Sequence, residues 1–127
     1  FYGLNAPQEY TGPQARGFDS SLQVSTPWDI AANSGALTLG IKNFMKEPIT
    51  ISSVNGTINN HNLGWDILGS NIIDSGNITT INGSVTSGTW TSIGASRRAS
   101  YFAYITIYYT YNGQTFSSSG TIRGTYS

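Results

Sequence analysis

Cysteine is absent from this sequence of 127 residues, and charged side chains are scarce. Without cysteine, neither a disulfide nor a thiolate-ligated zinc site can form. Only 9% of the residues are charged, against about 25% in an average soluble domain, and six acidic residues balance six basic ones. A neutral surface does not attract nucleic acid or anionic membrane over a distance, so we expect no nucleic-acid partner.

Long apolar runs are missing as well. No stretch reaches the ~18 apolar residues of a membrane-spanning helix. The sequence begins with Phe1 instead of Met, which we interpret as processing or truncation of a longer chain. The length suits one domain that buries about two-thirds of the surface of its unfolded chain.

Side chains suited to catalysis are few and scattered. The one histidine, His61, lies in a polar, Asn-rich stretch without the partners that a catalytic triad or a metal site requires. Asp66 and Asp74 could face each other as a glycosidase pair does, but surface positions that cap turns are the simpler interpretation. No calcium loop, phosphate-binding loop or nucleophile elbow is recognisable. We therefore expect no enzymatic activity, no metal and no cofactor.

The clearest local signal is a long hairpin at the C-terminal end, over residues 101–126. Asn112 and Gly113 suit a two-residue type I′ turn, which needs positive φ at both central positions. This turn predicts a register that pairs Tyr109 with Phe116, Ile107 with Ser118, Ile105 with Gly120 and Ala103 with Ile122. One face of the hairpin would then be apolar, and the other would carry mostly hydroxyl groups.

Shorter alternating segments precede this hairpin. Apolar and polar residues alternate, as in half-buried strands, over residues 20–26, 35–43 and 49–54. Asn-Gly pairs at 55–56 and 82–83 predict two further hairpin turns. We interpret residues 27–32 as one helical turn and residues 59–70 as irregular.

Short strands separated by turn signals at this spacing predict an all-β fold. We expect an antiparallel, two-sheet β-sandwich of the immunoglobulin-like kind, with about seven to eight short strands and the long C-terminal hairpin. Residues 1–19 would form an N-terminal stub of a helix followed by a linker, because residues 8–18 are rich in Gly, Pro and Gln and have no period. Residues 20–127 would form the head domain.

Three asparagines stand in Asn-x-Ser/Thr sequons and are candidate N-glycosylation sites: Asn55, Asn77 and Asn82. Those at positions 55 and 82 fall on predicted hairpin turns, where a glycosylating enzyme could reach them. Sequons also arise by chance in a chain that is rich in Asn and Thr, so their occupancy stays open.

Aromatic residues make up 13% of the sequence, and three lie on the polar face of the hairpin: Phe102, Tyr104 and Tyr108. They fit an amphipathic sheet that neighbouring strands partly cover. They equally fit a contact surface for sugars or for other subunits, because tyrosine supplies a large contact area with a polar end.

Several segments occur in an order that is familiar from one family. Residues 1–5 (FYGLN) match the end of an apolar helix. Residues 35–43 (GALTLGIKN) and 46–51 (KEPITI) match a first strand, a Lys-containing turn and a second strand. Residues 104–110 (YITIYYT) and 120–125 (GTIRGT) match a Tyr-rich strand and a closing Gly-Thr-Ile-x-Gly-Thr segment. This order resembles the globular domain of archaeal type IV pilins.

The resemblance implies a non-catalytic structural subunit of an extracellular archaeal type IV pilus, or of a pilus-like adhesion filament, at the cell surface. An apolar helix ahead of Phe1 would bundle in the filament core and provide the only membrane contact, and the β-sandwich would coat the outside. The partners would be other copies of the chain, with a host surface or glycans as further partners. We expect subunit or ligand contacts at Phe1, Tyr2, Leu4, Phe102, Tyr104 and Tyr108.

Three alternatives remain open at this point. In a filament built by donor-strand exchange, residues 1–19 would complete the sheet of the next subunit. Residues 8–17, however, lack the alternating apolar side chains of a donor strand. A carbohydrate-binding module would stack sugars on Trp28, Trp65, Trp90 or Tyr108. A viral coat or spike domain would have the same sequence features as the pilin head.

Overall fold

The computed structural model describes residues 14–18, 21–69 and 71–127. Nine strands and one short 3-10 helix lie within these residues, and no helix among them is long and apolar enough to cross a membrane. The elements are β1 (Gln14–Arg16), β2 (Leu22–Ile30), β3 (Leu37–Asn43), β4 (Ile49–Ile58), β5 (His61–Leu68), β6 (Ile72–Ile73), β7 (Ile78–Ser87), the 3-10 helix (Trp90–Ile93), β8 (Ser100–Tyr111) and β9 (Gln114–Thr125). Phe1, Tyr2 and Leu4 lie outside the described residues.

All nine described strands belong to one antiparallel sheet. The strand order is β1-β9-β8-β4-β5-β7-β3-β2, and β6 pairs with β4 beside the end of β5. The all-β, antiparallel prediction is confirmed. The division into two sheets of an immunoglobulin-like sandwich is not confirmed, because the strands form a single, nearly closed, barrel-like sheet.

The sheet comes close to closing between β2 and β9. The seven long strands alternate in direction around the sheet, so its first and last members run parallel. Just beyond β9, the Ser127 N–H donates to the Ile30 carbonyl at 3.2 Å, and the Ser127 carbonyl accepts from the Ala32 N–H at 3.1 Å. At the other end of β2, the Ser118 hydroxyl donates to the Leu22 carbonyl at 3.1 Å. Strand β1, which lies inside the segment predicted to be a linker, pairs with β9.

The predicted hairpin is confirmed along its whole length. Strands β8 and β9 form twelve residue pairs, which include the four pairs predicted from the turn. Asn112 and Gly113 have φ values of 51° and 76°, as a type I′ turn requires. The apolar face is buried at Ala103, Ile105 and Ile107, which have no exposed surface, whereas Phe116 near the turn is 39% exposed.

The two other Asn-Gly pairs are not turns, so that prediction is wrong. Asn55-Gly56 lies within β4 and Asn82-Gly83 within β7, and the β4–β5 turn is formed by Asn59 and Asn60, at φ 51° and 65°. Both glycines make room for the ring of a buried tryptophan. A Cβ at Gly56 would come within 3.0 Å of the Trp65 ring, and a Cβ at Gly83 within 3.1 Å of the Trp65 Cβ.

Two further local predictions are wrong. Residues 59–70 were expected to be irregular, but they contain β5, in which Leu63 and Trp65 point into the core. Residues 27–32 were expected to form a helical turn, but β2 continues to Ile30 through a register shift between Ser25 and Trp28. Pairing with neighbouring strands decides the conformation at both places.

The barrel-like sheet has two distinct ends. We call the end with the β4–β5 turn, the 3-10 helix and the last residues of β9 the lower end, and the end with the β8–β9 turn the upper end. Indole hydrogen bonds hold the loop between β2 and β3 at the lower end. The Nε1–H of Trp65 donates to the Gly35 carbonyl, and that of Trp90 to the Ala32 carbonyl, both at 2.7 Å. The Tyr126 ring packs against Trp90 and Tyr101, with centroids 6.0 and 5.0 Å apart.

A buried asparagine organises the upper end. Asn43, at the end of β3, has no exposed surface and uses both ends of its amide. Its Nδ2 donates to the carbonyls of Glu47 and Ile73, at 2.9 and 3.0 Å, and its Oδ1 accepts from the Met45 N–H at 2.7 Å. One side chain thus joins the β3–β4 turn to β6.

We expect Asn43→Ala to lower the free energy of unfolding by about 3 kcal/mol, because three backbone groups lose their partner in a buried place. Urea unfolding followed by fluorescence measures the change. Asn82→Ala is the matched control, since Asn82 is exposed and accepts one side-chain hydrogen bond, from Thr38. The control should stay within about 0.5 kcal/mol of the wild type. Equal losses in the two variants would contradict the anchoring role of Asn43.

The hydroxyl group of Tyr101 is buried and has no hydrogen-bond partner among the described residues. Its ring is 4% exposed, so the ring contributes to the core and the hydroxyl carries a desolvation cost. We therefore expect Tyr101→Phe to raise the free energy of unfolding at neutral pH by about 1 kcal/mol. A clear loss of stability would mean that the hydroxyl makes a stabilising contact.

The same residue predicts sensitivity to high pH. Burial raises the pKa of Tyr101, and the charges of Asp29 and Tyr126 raise it further. The folded protein therefore holds the phenolic proton more tightly than the unfolded chain, in which tyrosine titrates near pH 10. The stability linked to this proton is complete below about pH 10 and is lost as the pH rises above it. Urea unfolding at about pH 9 and about pH 11 should show a smaller loss for Tyr101→Phe than for the wild type. Tyr108→Phe, at a partly exposed ring, is the control.

Candidate functional site

The three sequon asparagines are all exposed, but only one adjoins a turn. Asn77 follows the turn at residues 75–76, whereas Asn55 lies within β4 and Asn82 within β7. The Oδ1 atom of Asn82 accepts a hydrogen bond from the Thr38 hydroxyl at 3.2 Å. The predicted placement of Asn55 and Asn82 on hairpin turns is wrong, and glycosylation of the three sites stays a prediction.

The aromatic side chains predicted on the polar face of the hairpin do lie on the outer face of β8. Phe102 is 55% exposed, Tyr104 is 49% exposed and Tyr108 is half-buried. The Arg123 guanidinium, on the neighbouring strand, lies 5.3 Å from the centroid of the Phe102 ring. Phe102 and Tyr104 are therefore available for contact.

A polar cleft of about 340 Å³ opens beside Tyr104. Strand pairing brings its lining together from four strands, because Thr106 pairs with Asn55, Asn55 with Gly64, and Gly64 with Ser87. In the next row of the sheet, Tyr104 pairs with Thr57 and Thr57 with Asn62. We call this the outer cleft, and its lining residues are Asn55, Gly56, Thr57, Asn62, Leu63, Gly64, Ser87, Tyr104 and Thr106.

Gly64 gives the outer cleft its depth. A Cβ at this position would lie 3.1 Å from the Ser87 Cβ and 3.3 Å from the Asn55 Oδ1. Such contacts are tighter than ordinary van der Waals packing, so any other residue at this position would fill the cleft floor and press on both neighbours.

Hydrogen bonds within the sheet orient some of the polar groups of the cleft. The Thr57 hydroxyl donates to the Asn62 Oδ1 at 2.9 Å, which leaves the Asn62 amide nitrogen as a donor toward solvent. Thr106 and Ser119 share a hydrogen bond of 2.9 Å between their hydroxyls. No Lys, Arg, Asp or Glu is among the lining residues.

A second cleft, of about 410 Å³, lies nearer the lower end of the same face. Asn59, Ser100, Phe102 and Arg123 contribute to its lining. Phe102 lies two residues before Tyr104 on β8, so the two clefts flank one exposed aromatic pair. The arrangement can hold a neutral polar ligand along the sheet, and it has one cation at its lower end.

The tryptophans are not positioned as sugar-stacking platforms. Trp65 and Trp90 are 1% and 9% exposed, so the prediction that they stack sugars is wrong for these two. Trp28 is partly buried, and its Nε1–H donates to the Arg123 carbonyl at 3.1 Å. Tyr104, on the outer face, is the aromatic residue that borders the outer cleft.

The groups considered for catalysis lie apart from this cleft lining. His61, Asp66 and Asp74 are exposed. Within the described part of the chain, no three His, Cys, Asp or Glu residues group in a way that could hold a metal ion.

A second exposed surface consists of apolar side chains near the upper end. Four residues are between 49% and 56% exposed, and we call them the upper patch: Phe44, Leu68, Ile72 and Ile78. They follow β3, end β5, lie in β6 and begin β7. The Lys42 ammonium lies 4.9 Å from the centroid of the Phe44 ring. The sequence analysis did not identify this patch, although Ile78 precedes the alternating apolar positions of β7.

A comparison of the sequence with protein-family models and with curated proteins finds no match. The function must therefore be argued from the two exposed surfaces, the outer cleft and the upper patch.

Proposed function

We propose that this chain forms the head domain of an extracellular filament subunit of the archaeal type IV pilin class, and that it does no chemistry. The observation that carries the proposal is the upper patch, where four large apolar side chains remain about half exposed at the ends of neighbouring strands. Large apolar side chains left exposed at one end of a domain favour an interaction site there. In a filament, another copy of the chain would cover it.

The segments that resemble pilins also support this proposal. Residues 35–43 include β3 and the two residues before it, and residues 46–51 lead into β4. Residues 104–110 and 120–125 lie in β8 and β9, whose pairing contributes the longest hairpin of the sheet. The resemblance therefore concerns strands that build the frame of the domain. The two-sheet sandwich predicted from the strand spacing would correspond to this barrel-like sheet if opposite walls pack face to face.

The position of β1 suggests how heads would be arranged. Gln14 pairs with Arg123, near the lower end, so the chain enters the described domain there. The upper patch lies near the opposite end. If an apolar helix precedes Phe1, as the resemblance implies, the helices would bundle in the core and the heads would stack outside. A contact between unlike surfaces produces open filaments when its rotation does not close a ring.

The polar remainder of the surface suits the outside of such a filament. Exposed hydroxyl and amide groups would keep it hydrated, and glycans at Asn55, Asn77 or Asn82 would add to this layer. Donor-strand exchange has less support, because the described strands already form a nearly closed sheet in which β1 pairs with β9 of the same chain.

Intact mass and N-terminal sequencing of the native protein, after deglycosylation, test the class of assembly. We expect an apolar segment of roughly 20 or more residues ahead of Phe1. A native chain that begins at Phe1 would leave no helix for the filament core and would exclude the type IV mechanism.

A charge in the upper patch tests the contact between heads. We expect Ile78→Lys to reduce filament yield about tenfold or more, because assembly would then bury an unpaired ammonium. Filaments counted by negative-stain electron microscopy measure the effect. Thermal unfolding of the variant should stay close to that of the wild type, since Ile78 is 52% exposed.

Thr86→Lys is the matched control, because Thr86 is exposed on the same strand and lies near its lower end, away from the patch. It should assemble like the wild type. Normal filaments from Ile78→Lys would remove the upper patch as a subunit contact, whatever the N-terminal sequence of the native chain.

A further inference from the structure

The outer cleft has a polar chemistry that filament assembly does not require. It lies on the outer face of β4, β5, β7 and β8, whereas the upper patch lies at strand ends. Its volume of about 340 Å³ is within the range of small-molecule sites.

The lining restricts the chemistry of a ligand. A phosphate or carboxylate group would lack a cationic partner, since no Lys or Arg of the described residues lines the cleft. A cation would lack a carboxylate. A purely apolar segment would displace the water that hydrogen-bonds to several hydroxyl and amide side chains, and it would offer them no hydrogen bonds in return. The ligand that fits must be neutral and rich in hydrogen-bonding groups.

The remaining polar groups can both donate and accept. Asn55 and Ser87 make no side-chain hydrogen bond to the described part of the protein, and they border the Gly64 floor from two sides. Asn62 is held by Thr57, so its amide nitrogen has a defined direction. Sugar hydroxyls are donors and acceptors at once, and amide and hydroxyl side chains match both roles.

Tyr104 supplies the apolar contact that a sugar ring also needs. Its ring is about half exposed, and it stands at the border of the cleft. An aromatic side chain offers a rigid flat surface for the C–H face of a pyranose and a hydroxyl at its edge. Phe102 continues this apolar strip along β8 toward the second cleft.

We propose that the outer cleft binds a neutral oligosaccharide, with Tyr104 as the stacking surface and Asn55, Asn62 and Ser87 as hydrogen-bonding partners. Gly64 is the residue that keeps the floor open. The proposal does not depend on assembly into filaments, because all of these residues belong to one chain.

Two sources could supply such a glycan. One is a polysaccharide in the surroundings, and the other is a glycan attached to another copy, at Asn77 or Asn82. Asn55 itself lies in the cleft, so a glycan on Asn55 would occupy the site and block an external ligand. The chemistry of recognition is the same in both cases.

The test uses the 127-residue chain produced without glycosylation and labelled with ¹⁵N. Neutral hexasaccharides of glucose, mannose, xylose and N-acetylglucosamine are titrated separately, at up to millimolar concentrations, and amide shifts are recorded. We expect at least one hexasaccharide to shift the amides of Asn55, Asn62, Ser87 and Thr106 with a saturating curve. A panel that leaves these amides unmoved would overturn the proposal.

Matched substitutions locate the binding. Tyr104→Ala and Asn62→Ala should each weaken binding about tenfold, by loss of the stacking surface and of an oriented donor. Tyr104→Phe should retain binding. Asn82→Ala should bind like the wild type, because Asn82 also accepts a threonine hydroxyl bond on an outer strand face but lies outside the cleft. Wild-type affinity in both Tyr104→Ala and Asn62→Ala would overturn the proposal even if a sugar binds.

Glycans released from the native protein form the second arm. Tighter binding of these glycans than of any hexasaccharide in the panel would assign the site to a glycan of another copy. Tighter binding of a hexasaccharide would assign it to an external polysaccharide. Either result supports the cleft as a glycan site, provided that the substitutions act as stated.

Discussion

Much of this structure depends on one constraint: the nearly closed sheet must make room for the Trp65 side chain. Its indole lies almost completely inside, and its Nε1–H is satisfied by the Gly35 carbonyl. Glycine on the two strands next to β5, at positions 56 and 83, leaves the space that the ring occupies. A Cβ at Gly35 would meet Trp90 at 2.6 Å, so the loop before β3 is confined by a second indole. Trp65 thus packs against β4 and β7 from its place in β5, and together with Trp90 it holds the loop that leads into β3 at the lower end.

This constraint explains which parts of the fold could be predicted from the sequence. The Asn112-Gly113 turn was recognised correctly because both residues do adopt positive φ, and the register of twelve pairs follows from it. The same dipeptide was misleading at positions 55 and 82, where glycine serves a distant ring and keeps extended backbone. Local sequence cannot distinguish a glycine needed for its φ angle from one needed for its lack of a side chain. Strand β5 was missed because its conformation is also set by distant residues: it pairs with β4 on one side and with β7 on the other.

The functional surfaces divide in a similar way. Alternation along β8 was enough to place Phe102 and Tyr104 on the outer face. The outer cleft could not be foreseen, because Asn55, Gly64, Ser87 and Thr106 meet only through the register of β4 with β5 and β8 and of β5 with β7. The upper patch depends on which strand ends come together, and this is set by the strand order of the sheet. Period and turn chemistry predict faces, whereas clefts and patches require the topology.

In the proposed filament, the upper patch and the outer cleft would have different roles. Full burial of an apolar side chain of this size contributes roughly 1.5–3 kcal/mol, and the upper patch residues are already half covered, so a single contact between heads would be weak. Association also costs several kcal/mol in lost motional freedom, which such a patch barely offsets. In the proposed filament, a helix core would hold the heads side by side, so that this cost would already be met and the effective concentration would make a weak contact sufficient. Because these contacts involve little charge, salt would change them little. The heads would then regulate the spacing of the filament, and the outer cleft would stay open to solvent on each copy.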